Sequence, residues 1–292
     1  MKKLLLILWS GTGNTLRVAE LLRESFARRG ISGDILDIAK EPHVTMDDYD
    51  IIGLGYPVYA YNAPAIFVRY VKNLRLADRD VFIFKSSGEP LRFNNASSRR
   101  LIRLLSKCRV LGEYHFLMPY NIMFRFPDNL VKQMYQHAEG LSETAAEEIA
   151  TRGGRPLRGY KLPELLVSVL LGIQCFGALV NGPLFWINRK CCTRCMKCLN
   201  ECPAKNITFK EGSFRFGFKC QMCMRCTLYC PADAVRPGLL NLWRVNGPYP
   251  FDALMADEGL DGKFITPQTR GIYRIFRPYF EGKADGSGDN AP

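Results

Sequence analysis

Histidine is scarce in this 292-residue chain: His43, His115 and His137 are scattered and form no constellation. No nucleophile–base pair stands out either. These two absences weigh against catalysis by side chains alone and favour a role in which bound cofactors supply the chemistry. A secretory leader is not expected. The opening "MKKLLLILWS" has an apolar run only from Leu4 to Trp9, short of the roughly 7–15 residues such a leader needs, and no cleavage-like site follows. The run reads instead as a buried strand, and the chain as cytoplasmic. Outside one segment cysteine is nearly absent: of eleven, only Cys108 and Cys175 lie beyond Cys191–Cys230. That clustering excludes the disulfide framework of a small secreted domain and leaves reduced thiolates for metals. Finally, charge is absent from Leu165 to Ile187, "LLVSVLLGIQCFGALVNGPLFWI". The run is long enough to span a bilayer, yet Gln174, Asn181, Pro183 and three glycines interrupt it. Burial between domains or subunits, or contact with a membrane surface, is the expectation for it.

Against these absences stands one excess. Cys192, Cys195, Cys198 and Cys202 are followed by Pro203; Cys220, Cys223, Cys226 and Cys230, each 28 residues later, are followed by Pro231. The match extends to Met196/Met224, Lys197/Arg225, Ala204/Ala232 and Ile207/Val235, so the segment is an internal duplication. Cys191 is the spare thiol, because only Cys192 has the right spacing to Cys195. A zinc site commonly takes four ligands as two CxxC pairs, and eight cysteines in two CxxCxxCxxxCP runs exceed that need.

From Arg189 to Pro237 the sequence resembles the bacterial dicluster ferredoxins. The resemblance implies one-electron transfer through two 4Fe–4S clusters, the fourth cysteine of each run ligating the other run's cluster. Cys192, Cys195, Cys198 and Cys230 are then expected to hold cluster 1, and Cys220, Cys223, Cys226 and Cys202 cluster 2. The region is basic, with Arg189, Lys190, Arg194, Lys197 and Arg225 among its cations. That charge is expected to raise the cluster potentials and to suit an acidic electron carrier. The formal charge of the whole chain is +12. Two oxidised clusters at about −2 each and a flavin phosphate at about −2 would bring it near +6.

The first half alternates strand and helix signals. "KKLLLILW", "GDILDI", "DIIGLGY", "DVFIFKS" and "YHFLMP" read as five strands; "NTLRVAELLRESFARRG", "PAIFVRYVKNL", "SSRRLIRLLSKC" and residues 128–151 read as helices. In the first helix Leu16, Ala19, Leu22 and Phe26 fall on one face and Gly30 is a natural stop. In the third, Leu101, Leu104, Leu105 and Cys108 share a face. The alternation predicts an α/β doubly wound parallel sheet, and the continuous apolar strands predict cover on both faces.

Between the first strand and first helix lies "SGTGNT", Ser10, Gly11, Thr12, Gly13, Asn14 and Thr15. A helix N-terminus and successive amides suit an anion. Leu16 stands where a dinucleotide fingerprint needs its third glycine, and no Gly-Lys-Ser/Thr follows for a triphosphate loop. What remains is a hydroxyl-rich loop for a monophosphate such as FMN, and it resembles the flavodoxin phosphate loop. The flavodoxin-like fold this implies has strand order 2-1-3-4-5, with FMN at the switch point. The loop after strand three then supplies flat neighbours for the flavin ring, from Tyr56, Pro57, Val58 and Tyr59, with Tyr59 and Tyr56 the expected stacking residues and Tyr61 nearby. Ser86, Ser87 and Gly88 after strand four face its polar edge, and Asn121 closes the site.

Together the halves resemble the fused flavodoxin-like/dicluster ferredoxin proteins of anaerobic prokaryotes. The expected organisation is an FMN-binding domain (1–152), an apolar helical connector (153–188), a small α+β ferredoxin-like domain (189–237) and a C-terminal extension (238–292) whose last ten or so residues are disordered. The expected function is electron transfer between FMN, the clusters and an external redox protein, with no nucleic acid involved. An FMN-dependent reductase of a small molecule and a redox sensor stand as alternatives.

Overall fold

The computed structural model describes residues 2–40, 45–155, 157, 159–173 and 179–282. His43, Cys175, part of the charge-free run and the last ten residues lie outside the described residues.

Five parallel strands form one sheet in the order β2-β1-β3-β4-β5: β1 (Lys3–Leu8), β2 (Ser32–Asp37), β3 (Ile51–Pro57), β4 (Asp80–Ser87) and β5 (Arg109–Leu117). This is the flavodoxin-like order. Successive side chains of β1 go to opposite faces, as a pleated strand requires. Leu4, Leu6 and Leu8 pack with α1 (Asn14–Ala27) and α4 (Asp128–Arg152). Leu5, Ile7 and Trp9 pack with Phe67 and Val71 of α2 (Ala65–Lys72) and Leu101 of α3 (Arg99–Leu104). Both faces are therefore covered, which is why the strands read as unbroken apolar runs. In α1 the expected stripe holds: Ala19, Leu22 and Phe26 are buried and Leu16 packs at its edge. Gly30 ends that stretch at φ 74, a conformation only glycine adopts freely. Strand order reverses at β1 and β3, so their carboxyl ends open a crevice.

Two elements differ from the sequence reading. The third helix does not run to Cys108. A 3₁₀ turn (Arg92–Ser98) leads into the shorter α3, and Leu105 already departs from helical geometry. Leu101 and Leu105 take the inward stripe, Leu104 is left 37% exposed, and the Cys108 thiol beyond the helix donates to the Leu76 carbonyl at 3.0 Å. The fifth strand begins at Arg109, five residues before "YHFLMP", because Arg109, Gly112 and Glu113 interrupt the apolar signal of Val110 and Leu111.

After α4 comes α5 (Leu162–Leu170). Two small antiparallel ribbons follow: β6 (Trp186–Ile187) with β9 (Val235–Arg236), and β7 (Ile207–Lys210) with β8 (Ser213–Phe216). Among the described residues no helix is long and apolar enough to cross a membrane. The segment after Pro237, without an assigned role in the sequence reading, folds back onto the first half. Tyr249, Leu254, Ile265, Phe276 and Tyr279 bury themselves against Phe126, Leu130, Val131 and Met134. β5 is an edge strand with exposed polar backbone. The Tyr279 hydroxyl covers part of it, accepting from the Leu117 amide at 3.2 Å and donating to the His115 carbonyl at 2.9 Å.

Tyr279→Phe leaves those two backbone groups without this partner, so it is expected to cost on the order of 1–3 kcal/mol. Anaerobic denaturant unfolding measures it; an unchanged midpoint would show that the tail does not support the edge strand.

Candidate functional site

The crevice at the ends of β1, β3 and β4 is a cavity of about 410 Å³. Ser10, Gly11, Thr12, Asn14 and Thr15 line it, with Pro57, Val58, Tyr59, Ser86, Ser87, Gly88 and Asn121. The predicted phosphate-loop and flavin-loop residues are thus brought together, Gly13 and Tyr56 excepted.

Gly13 caps α1 at φ 96 and shapes the loop. Tyr56 lies elsewhere. β3 continues to Pro57, so residue 56 still obeys the strand's alternation. Its ring is fully buried against Phe67, and its hydroxyl is 3.1 Å from Ser97.

The loop's side chains are mostly engaged within the protein. Ser10 Oγ accepts from the amides of Gly13 and Leu16, both at 3.2 Å. Thr15 Oγ1 meets Ser86 Oγ at 2.8 Å, and Asn14 Nδ2 donates to the Pro119 carbonyl at 2.7 Å. Thr12 Oγ1 accepts from Asn121 Nδ2 at 3.2 Å. Amides at the start of α1 that Ser10 does not take lack an intrahelical acceptor, and the Ser10 and Thr12 hydroxyls, which accept in these bonds, keep their O–H to donate, so both kinds of group are placed to meet an anion.

The tyrosine loop turns tightly. Tyr59 and Asn62 exchange both backbone hydrogen bonds, at 2.9 and 3.0 Å, across Ala60 (φ 42) and Tyr61 (φ 58). Two successive left-handed residues without glycine cost roughly 1–2 kcal/mol each. Side chains hold the turn: Asn62 Nδ2 donates to the carbonyls of Ala60 and Ser168, and Ser168 Oγ to that of Tyr61, all at 2.8 Å. On the far side Tyr120 packs its ring on Gly88 and donates its hydroxyl to Glu89 at 2.8 Å. Glu89 also lines the cavity, and burial pushes its carboxyl above the usual range despite that hydrogen bond. Neither Tyr120 nor Glu89 was singled out from sequence. Glu89 follows the predicted "KSSG", and Tyr120 sits beside Asn121.

The cavity's remaining wall is the surprise. Met222 and Met224, which flank Cys223 in the second cysteine run, line it too. A β-carbon on Gly11 would come 2.6 Å from Cys223 Cβ and 3.2 Å from its carbonyl oxygen. Arg225 donates to the Gly11 carbonyl at 3.1 Å, and the Tyr229 hydroxyl to that of Thr12 at 2.8 Å. The Tyr59 hydroxyl lies in the same seam, its pKa raised by burial and then by the neighbouring Cys223.

The duplication is visible in the backbone. Left-handed residues recur 28 apart: Arg194 and Met222, Met196 and Met224, Lys205 and Asp233. Each run ends in a one-turn helix, Lys197–Asn200 and Arg225–Leu228. Amide-to-sulfur bonds recur likewise. Arg194 and Met222 donate to Cys192 and Cys220 at 3.4 Å, Asn206 to Cys202 at 3.3 Å and Ala234 to Cys230 at 3.2 Å.

The thiols influence one another in two sets. Burial, then Cys230, Cys195 and Cys192, push Cys198 up to about 11. Burial, then Cys220 and Cys202, push Cys223 up to about 12. Cys226 is raised by burial and by Cys223, Cys220 and Cys202, with Cys198 last, where the sets meet. Among the described residues no three His, Cys, Asp or Glu side chains stand at the spacing of a single bound ion. Cys191 is exposed and outside both sets. His115 bonds Ser87 at 2.7 Å, and His137 stacks on Tyr279 at 4.5 Å, so neither histidine lines the cavity.

The fold and this crevice define a flavodoxin-like α/β domain with a duplicated cysteine unit closing one wall of its cavity. No family model and no curated protein matches the chain. Among solved structures it is similar to a flavodoxin from the Archaea at 13% identity, covering 51% of this chain and 99% of that one, TM-score 0.35. It is similar to flavodoxin 2 from Bacillus cereus at 18% identity, covering 51% and 99%, TM-score 0.39. It is also similar to rubredoxin oxygen:oxidoreductase from Desulfovibrio gigas at 16% identity, covering 53% of this chain and 38% of that one, TM-score 0.36.

Gly11→Ala tests the seam. The new methyl group is expected to push the cysteine loop off the phosphate loop, lowering both flavin and iron retained per chain. Gly13→Ala, strained at its own φ but only 3.2 Å from the Tyr229 hydroxyl, should lower flavin alone. Equal iron loss in both variants would refute the shared seam.

Proposed function

We propose that the chain is an electron-transfer flavo-iron–sulfur protein, moving electrons between FMN, two 4Fe–4S clusters and an external redox protein. The observation that carries this reading is the common wall: Met222 and Met224 of a cysteine run line the same cavity as the phosphate loop, and Cys223 backs onto Gly11. FMN accepts two electrons and releases them singly, and each cluster passes one at a time. The amides at the start of α1 and the loop Ser10–Thr15 would hold the phosphate. Tyr59, Tyr120, Met222 and Met224 would confine the ring. Glu89 would place its carboxyl beside the ring, with Tyr120 Oη fixing its orientation.

The donor sets fit two clusters. Four thiols in mutual electrostatic reach, with Cys198, Cys220, Cys223 and Cys226 held above the usual thiol range by burial, suit a centre whose iron supplies the positive charge. The amide-to-sulfur bonds suit one whose potential is tuned by its surroundings. The sets Cys192/Cys195/Cys198/Cys230 and Cys220/Cys223/Cys226/Cys202 support the crossed assignment. The domain boundaries drawn from sequence and an acidic protein carrier remain part of this reading.

A second reading, an FMN-dependent reductase, draws on one observation. A further cavity of about 450 Å³, lined by Arg17, Tyr229, Tyr249 and Asp252, shares Thr12, Asn14, Tyr120 and Asn121 with the first. A small molecule there would be within reach of the same loop.

Anaerobic reconstitution and stepwise reduction, followed by absorbance and EPR, test the first reading. About eight irons and one FMN per chain are expected, with electrons equilibrating among them. Zinc in place of iron, or flavin reduced independently of iron, would defeat it. In the same assay Cys202→Ser should abolish the cluster held with Cys220, Cys223 and Cys226 and spare the one held by Cys192, Cys195 and Cys198.

Glu89→Gln gives a separate check by potentiometry. Above the raised Glu89 pKa its carboxylate places negative charge beside the flavin and lowers its potential. The variant's FMN potential is therefore expected above the parent's at pH 8, the gap closing as pH falls toward that pKa. Parallel pH profiles would remove Glu89 from the flavin site.

A further inference from the structure

Helix α5 is turned inside out. A surface helix of a water-facing protein directs its apolar stripe inward. Here the polar residues go in: Ser168 is 0% exposed and Glu164 5%, while Leu162, Leu166, Val169 and Leu170 are between 52% and 67% exposed. The inward face is bonded, not merely covered. Besides its contacts to Tyr61 and Asn62, Ser168 accepts from Arg99, which also donates to Asn62 Oδ1 at 2.8 Å. Glu164 accepts from the Lys161 amide at 2.9 Å and pairs with Arg92 at 3.5 Å. This orientation is therefore fixed by specific polar partners, and the leucines outside have none.

The apolar face continues past the helix. Leu171 is 43% exposed, Met123 52%, Leu239 69% and Leu242 90%. Leu171, Met123 and Leu240 also line the 410 Å³ cavity, so the apolar face borders that cavity. Beside it lies cationic charge. Arg92, Arg100 and Arg103 are exposed on the 3₁₀ turn and on α3, next to α5, and Lys161 is exposed at α5's start.

We propose that α5 and the turn Gly238–Trp243 seat the protein on an anionic lipid surface. A charge-free face of leucine, valine and methionine flanked by arginine and lysine is what enters the headgroup region of such a surface. A second copy of this chain is a poorer occupant, since pairing the same face would bring both sets of Arg92, Arg100, Arg103 and Lys161 together. The inference concerns the surface alone and stands whichever cofactors occupy the interior. Its consequence is that the cavity lies beside the membrane, where a membrane-bound or lipid-soluble redox partner would meet it.

The test is co-sedimentation of the anaerobically purified full chain with vesicles. Vesicles of phosphatidylcholine mixed with phosphatidylglycerol are expected to pellet the protein, and those of phosphatidylcholine alone at least ~10-fold less of it, with added salt weakening the binding. The pair Leu166→Glu and Val169→Glu, both exposed, should reduce binding at least ~10-fold while leaving the visible spectrum unchanged. Arg100→Glu with Arg103→Glu should abolish the preference for the anionic lipid without touching the apolar face. Failure to pellet, or equal pelleting of parent and variants, overturns the proposal. So does a dimer in size-exclusion light scattering that the Leu166/Val169 pair disrupts, or a stable complex with an acidic carrier protein through this face in the absence of vesicle binding.

Discussion

The structure depends on a single close approach, Gly11 against Cys223 and the Tyr59 hydroxyl. Any side chain at residue 11 would collide with Cys223, and the two loops would part. With hydrogen there, Arg225 and Tyr229 reach the carbonyls of Gly11 and Thr12. Those two bonds matter beyond their own energy. A peptide group held by its carbonyl on one side presents its N–H on the other, and successive N–H groups so oriented form an anion-binding concavity. The cysteine unit thereby helps aim the amides of the phosphate loop. In a flavodoxin-like domain standing alone, the loop's own side chains would have to do this unaided.

The cysteine runs carry their own constraint. Six non-glycine residues sit at positive φ in equivalent pairs 28 apart. Each costs roughly 1–2 kcal/mol relative to a right-handed conformation, and such strain persists only when the surroundings over-determine it. What accompanies it here is a set of amide-to-sulfur hydrogen bonds repeated in both runs. Left-handed residues after the first and second cysteines of each run reverse the chain within two residues, so amides turn toward sulfur instead of solvent. Glycine would lower the strain, but it would also free the loop in the unfolded chain. Methionine at 222 and 224 contributes something glycine cannot: its side chain forms part of the cavity wall.

Much of this was legible in the sequence, and the physical reasons differ by element. The central strands declare themselves because helices cover both faces, so β1, β3 and the middle of β4 are nearly all apolar, while β2 and β5 carry charged residues. The cysteine duplication is legible because the repeated spacing lies within two short loops. What escaped were contacts between segments far apart in the chain. Nothing in "SGTGNT" reports that Gly11 faces a residue more than two hundred positions away, or that Ser10 and Thr15 would be occupied by loop amides and Ser86. Tyr56 was misplaced because the reading counted it both in the strand "DIIGLGY" and in the loop after it; β3 runs on to Pro57, and alternation sends the ring into the core. The tail hid its role for a related reason. Its buried residues, Tyr249, Leu254, Ile265, Phe276 and Tyr279, are too widely spaced to show a period, because they come from loops and single turns.

The connector shows how one misfit can organise others. A helix with leucines outward is unfavourable in water, and α5 holds that posture through Ser168 and Glu164. Ser168 is bonded to Tyr61 and Asn62, the far half of the left-handed turn that presents Tyr59 to the cavity. The strained turn and the inverted helix therefore support one another: the turn's carbonyls and amide satisfy polar groups the helix buries, and the helix supplies the bonds that keep Ala60 and Tyr61 at positive φ. Rolling α5 to hide its leucines would strip those bonds from the turn and let Tyr59 leave the Gly11–Cys223 seam. The outward apolar face is thus not an independent surface feature. It is the outer side of the arrangement that shapes the cavity, and whatever covers that face also holds the tyrosine loop in place.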